Sequence, residues 1–120
     1  MEQLSPDTII GIDLGTTNSC GAVAYGDAQV KLIPYKGGEH TIPSIFAIDD
    51  KGNELIGQDA KRQWQLNPRN TLYATKRLIG RAPRDEVVDT MQRSVQYAVH
   101  AGEHHDVEVL LGRDAALRDQ

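Results

Sequence analysis

Apolar and polar positions change rhythm several times along this chain. Residues 8–14, 18–25 and 28–34 are short β-rich apolar runs, with the turn signal Gly26-Asp27 between the last two. They predict three consecutive antiparallel strands. Gly21 within the second run weakens it or lets another group approach the backbone closely. The loop "YKGGEH" at 35–40 interrupts the pattern. Residues 42–48 then predict a strand with Pro43 near its start, followed by the turn "DDKGN" and a return at 54–56.

From residue 58 the period is helical. Residues 58–66 predict a helix that stops at Asn67-Pro68, because the residue before a proline is pushed out of helical geometry. Asn70-Thr71 offers an N-cap for a second helix over 72–79, ended by Gly80. Asp85 can cap a third, carrying Val88, Met91 and Val95 at helical spacing. Alternation returns at Val95, Tyr97, Val99 and again at Val107, Val109, Leu111, a predicted hairpin across "HAGEHHD". The tail "GRDAALRDQ" begins an element and does not complete it.

Composition narrows the function classes. A length of 120 residues bounds the chain to one small domain with a modest core. The 13 basic and 17 acidic residues give a net charge of -4, which argues against a broad footprint for nucleic acid or anionic membranes. Cys20 is the only cysteine, so no intrachain disulfide forms and a reducing compartment is expected. The start "MEQLSPDT" has no basic n-region or apolar h-region, and no apolar run reaches membrane-spanning length. A cytoplasmic protein is expected.

The chemistry concentrates in "GIDLGTTNS" at 11–19. A phosphate site needs backbone N–H groups converging on one point, and glycine makes such a turn without a Cβ clash. Thr16, Thr17, Asn18 and Ser19 add candidate side-chain donors. Asp13 would repel an anion unless a cation lies between them, so a carboxylate beside such a turn points to Mg²⁺ held through retained waters. The competing interpretation is an ordinary hairpin in which Asp13 bonds to local N–H groups. Neither G-x-x-x-x-G-K-[ST] nor a helix-opening G-x-G-x-x-G is present, which excludes Walker A and Rossmann loops.

Lys76 is a second candidate. At about 100° per residue it falls about 40° from Leu72, inside an apolar arc, where a lysine either snorkels or meets an anion. The cluster Glu103-His104-His105-Asp106 is expected to be an exposed hairpin tip, since adjacent histidines on a strand face opposite ways. Trp64 is expected to pack, and Cys20 to be a small buried hydrophobe.

These residues resemble the start of the seventy-kilodalton heat-shock chaperones, the bacterial DnaK type. "IIGIDLGTTNSC" at 9–20 is similar to their first phosphate hairpin, a motif shared with sugar kinases and other actin-like ATPases. The ordered set "PS", "GQDAKRQ", "NPRNT" and "KRLIGR" within 41–81 resembles the chaperones specifically. Beyond Arg81 the similarity thins to pattern, with Arg113 still compatible. "TIPS" stands for the usual "TTPS", "GGEH" for an acidic-Gly-acidic-Arg loop, and Gly21 for a β-branched residue.

The resemblance implies a mixed α/β fold, an incomplete ribonuclease-H-like, actin-like ATPase lobe. Residues 1–40 would be the first strands and phosphate hairpin of lobe I, and 41–120 its peripheral subdomain, truncated at the C-terminus. Asp13 would organise the Mg²⁺ water shell, Gly15, Thr16, Thr17 and Asn18 would hold the β- and γ-phosphates of ATP or ADP, and Lys76 would reach the γ-phosphate and attacking water. Potassium would be an admissible accompanying ion. The expected partners are unfolded polypeptide clients, a J-domain co-chaperone and a nucleotide exchange factor, with no nucleic acid or membrane. The second phosphate hairpin, adenosine pocket and peptide-binding domain would lie beyond residue 120, so the isolated chain is expected to be inactive. The alternatives are a stand-alone non-catalytic interaction module and a sugar-kinase-like enzyme.

Overall fold

The computed structural model describes residues 7–26 and 29–112. The N-terminal "MEQLSP", Asp27, Ala28 and the tail with Arg113 lie outside the described residues. The fold is mixed and strand-rich, with few helices.

The first strands form where the apolar runs predict them. β1 (Ile9–Leu14), β2 (Asn18–Tyr25) and β3 (Gln29–Leu32) make an antiparallel sheet in the order β1-β2-β3. The register places Asp13 opposite Cys20 and Leu14 opposite Ser19, so residues 15–18 close the hairpin. Ile33 explains Gly21: its N–H donates to the Gly21 carbonyl at 2.8 Å, and its Cδ1 would lie 3.2 Å from a Cβ at that glycine. Cys20 is half-buried rather than buried.

The strand expected over 42–48 is two strands in two sheets. β4 (Ile42–Pro43) pairs with the start of β2, while β5 (Ile45–Ile48) joins a second sheet. Ser44 is the switch between them. β6 (Glu54–Ile56) pairs with β5 across a turn held by the Asp49 carboxylate, which accepts the N–H groups of Lys51 and Asn53 at 3.0 and 2.7 Å.

The helix expected over 58–66 breaks into α1 (Gln58–Arg62) and a 3-10 turn (Trp64–Leu66). The helix expected over 72–79 does not form. Thr71–Tyr73 is instead β7, which pairs with the free edge of β5 and completes a sheet in the order β6-β5-β7. Ala74 then takes a left-handed φ of 57°, and Thr75–Arg77 makes one 3-10 turn. Tertiary pairing overrides the local period here: an open β5 edge satisfies its backbone groups with a β-prone Thr-Leu-Tyr segment. The Asn70-Thr71 cap therefore has no helix to cap, and the helical-wheel placement of Lys76 fails with it. Leu78 is the buried residue of this segment, and Ile79 is exposed.

α2 (Glu86–Ser94) follows the pattern at Val88 and Met91, which are buried, but ends before Val95, whose backbone is extended. Asp85 occupies its N-cap position, but its carboxylate accepts the N–H of Ala82 at 2.8 Å instead of a helix N–H. β8 (Ala98–Ala101) and β9 (Val107–Leu110) form the expected hairpin. The buried core lies within 41–112: one cluster joins Leu78, Val88, Met91, Tyr97 and Val99, and another joins Ile45, Ala47 and Ala60.

Candidate functional site

The turn between β1 and β2 is tight. A Cβ on Gly15 would stand 2.1 Å from the Asn18 carbonyl oxygen, so only glycine closes it without moving backbone. Among the described residues, no hydrogen bond takes up the N–H groups of Gly15, Thr16 or Thr17. Those donors are therefore open to an anion or to water.

Lys76 reaches this turn across 62 residues of sequence, its Nζ donating to the Leu14 carbonyl at 2.9 Å. The 3-10 turn, not a helix face, delivers it. Leu14, Gly15, Thr16, Ser44, Thr75 and Lys76 contribute to the wall of an open cleft of about 340 Å³. Asn18 faces a different cleft of about 470 Å³, shared with Lys36, Glu39, Lys61 and Arg62. Lys36 also meets Asp59 at 2.6 Å, and their hydrogen bond raises the lysine pKa and lowers that of the carboxyl.

The structure thus brings together Gly15, Thr16 and Lys76, places Asn18 on the far flank of the turn, and lines neither cleft with Asp13. Asp13 is exposed, and among the described residues its carboxylate takes no hydrogen bond or ion pair. The locally bonded carboxylate of an ordinary hairpin is not what this turn contains. The described residues hold no group of three or more His, Cys, Asp or Glu side chains suited to a metal ion. A single carboxylate fits Mg²⁺ that draws its other ligands from phosphate and water, as that ion commonly does.

Two residues escaped the pattern: Thr75, beside Lys76, and Ser44. Ser44 is marked in the sequence by the "PS" of the chaperone-like set and as a lone hydroxyl inside the apolar run "IPSIFAI", and neither gives it a role. The histidine pair sits at an exposed hairpin tip, as expected, with His105 at a φ of 59°. His100 lies behind it, its Nε2 3.3 Å from the Glu108 carboxylate.

The other quoted motifs have structural employment. In "NPRNT" the Asn67 side-chain amide donates to the Ile48 carbonyl at 2.9 Å and to the Gln63 carboxamide oxygen at 2.8 Å. Buried Thr71 donates to the Asn67 carbonyl at 2.7 Å, and Asn70 accepts the Gly112 N–H at 2.8 Å. In "GQDAKRQ" Gly57 holds a φ of +69° directly beneath the Tyr35 hydroxyl, and Ala60 is fully buried.

Comparison with known proteins covers most of the chain. A family model described as Hsp70 protein matches residues 9–115. The Chaperone protein DnaK of Buchnera aphidicola subsp. Schizaphis graminum (strain Sg) is 48% identical over 98 residues, which are 82% of this chain and 15% of that relative.

Proposed function

Because the chain belongs to the Hsp70 protein family, we propose that it supplies the first phosphate hairpin and the γ-phosphate lysine of an ATP-dependent chaperone ATPase. The observation that carries this is the 2.9 Å contact from Lys76 Nζ to the Leu14 carbonyl. It sets a cation at the mouth of a glycine turn whose N–H groups are open. A phosphate oxygen would replace that carbonyl as a stronger, charge-assisted acceptor. Gly15, Thr16 and Thr17 would bind the β- and γ-phosphates, Asn18 would close the turn, and Asp13 would orient waters around Mg²⁺. The ion would supply charge neutralisation on the phosphates, with potassium as an admissible companion.

On this proposal residues 1–40 and 41–120 are two parts of one actin-like, ribonuclease-H-like ATPase lobe. The activity of the whole protein would couple ATP hydrolysis to binding of unfolded polypeptides, with a J-domain co-chaperone and a nucleotide exchange factor, in the cytoplasm. Among the described residues, no helix is long and apolar enough to cross a membrane. The isolated chain would bind nucleotide weakly. A few charge-assisted bonds of ~1.5–3 kcal/mol each, less the cost of ordering the ligand, leave about millimolar affinity. One wall of a cleft neither excludes water nor aligns it for attack, so no appreciable hydrolysis is expected.

Titration of the chain with MgATP, followed at the Gly15–Thr17 amides, tests this. Saturable shifts are expected, with an affinity about tenfold weaker in Lys76→Ala. A flat titration of the unaltered chain overturns it, as does hydrolysis that vanishes in the variant for the claim of inactivity. A non-catalytic interaction module is the second reading, favoured by the apolar side chains exposed on β1: Ile9, Ile10, Ile12 and Leu14.

A further inference from the structure

Ser44 stands where the chain leaves one sheet for the other, between β4 and β5. Its backbone N–H donates to the Thr17 carbonyl at 2.9 Å, and its Oγ donates to the Gly15 carbonyl at 2.8 Å. The Ser19 and Ser44 hydroxyl oxygens are also 2.8 Å apart. A hydroxyl carries one proton, and a carbonyl only accepts. The Ser44 proton is therefore committed to Gly15, and the hydroxyl–hydroxyl bond runs from Ser19 to Ser44. Ser19, a candidate phosphate donor in the sequence, spends its proton bracing Ser44 instead.

Three carbonyls of the hairpin are thus tied to residues 44 and 76: Leu14 by Lys76, and Gly15 and Thr17 by Ser44. In a planar trans peptide the C=O and the following N–H point in opposite directions. Fixing the Gly15 carbonyl therefore fixes the Thr16 N–H, and it does so at a glycine, where the peptide unit would otherwise rotate most freely. A rotated unit would present a carbonyl dipole to a phosphate where an N–H is needed.

We propose that Ser44 is a positioning residue for phosphate binding, locking the Gly15–Thr16 peptide with its N–H turned to the ligand. This rests on the phosphate-binding role proposed above for residues 15–18. Ser44 touches no ligand in this account and acts through the turn.

The test is MgATP titration of the isotope-labelled chain, followed at the Gly15, Thr16 and Thr17 amides. Ser44→Ala is expected to weaken binding about tenfold and to move the Thr16 amide resonance of the free protein, while Ser44→Thr, which keeps the hydroxyl, stays within about twofold. A merely structural role would lower the melting temperature without that localised Thr16 signature or the rescue by threonine. If Ser44→Ala does not fold, Ser44→Cys, a near-isostere with a weaker donor, is expected to show an intermediate loss. Binding by the unaltered chain together with unchanged affinity in Ser44→Ala, or in Ser44→Cys where that variant stands in, overturns the positioning role alone. No perturbation in the unaltered chain overturns the phosphate-binding role and this one with it.

Discussion

Tyr97 carries the largest titration effect among the described residues. Its ring is buried beside Tyr73 in the core, and its hydroxyl donates to the Tyr73 carbonyl at 2.7 Å. Burial pushes its pKa up from 10.0 to about 12. The folded pKa exceeds the unfolded one, so the unfolded state loses its proton first as pH rises. This contribution is fully present below about pH 10 and is lost as pH climbs toward about 12. The melting temperature is expected to fall across that window, and Tyr97→Phe should flatten the fall while lowering stability at neutral pH through the orphaned carbonyl. An alkaline decline of equal size in Tyr97→Phe would refute this. Lys76 is an exposed lysine whose meaning comes from the carbonyl it meets, 62 residues away.

Among elements, β7 and the turn before it decide how the second half folds. The amide and hydroxyl groups of Gln63, Asn67, Asn70 and Thr71 bond to one another and to the Ala60 and Ile48 carbonyls. That network pins Thr71 under α1 and presents Leu72 and Tyr73 to β5. Asn67 is its hub, with its amide donating twice and its oxygen accepting from Asn70 at 3.3 Å. Asn67→Ala is expected to cost about 1–3 kcal/mol, because half-buried acceptors lose their donor. Denaturant unfolding should show this as a lower midpoint with an unchanged slope. A shift within error would mean that β7 is held by strand pairing alone.

Across the described residues, the buried core lies within 41–112, while most of the large exposed apolar side chains lie within 9–33. The molecule measures 56 × 31 × 22 Å with a radius of gyration of 17.5 Å, against about 14 Å for a compact chain of this length. The β1–β3 sheet contributes nothing to the buried hydrophobic core, and on it Ile12 is 74% exposed and Leu14 60%. Sheets with uncovered apolar faces are weakly held and associate readily. Hydrogen exchange is therefore expected to be fast in β1 and β3 and slowest in α2 and β8, which enclose Val88, Met91 and Val99. Uniform protection across all the strands would show that the β1–β3 sheet is stabilised by something other than its own contacts, such as self-association.

Local chemistry in the chain was enough to set the β1–β2 pairing, α2 with Val88 and Met91, and the β8–β9 hairpin. In each, the backbone partners lie within the same helix or on the adjoining strand of one hairpin. Family membership was readable for a related reason, since "GQDAKRQ" and "NPRNT" are dense with residues that a specific polar network requires. Three matters were decided only by tertiary structure. Residues 71–73 are a strand because β5, more than 20 positions earlier, leaves an edge to be paired. Lys76 meets the β1–β2 turn through a 3-10 turn and not through a helical face. Ser44 grips that turn by two hydrogen bonds to residues nearly 30 positions upstream. Periodicity records which way a residue faces along its own element, whereas the partner that gives it a role is chosen by where the chain returns in space.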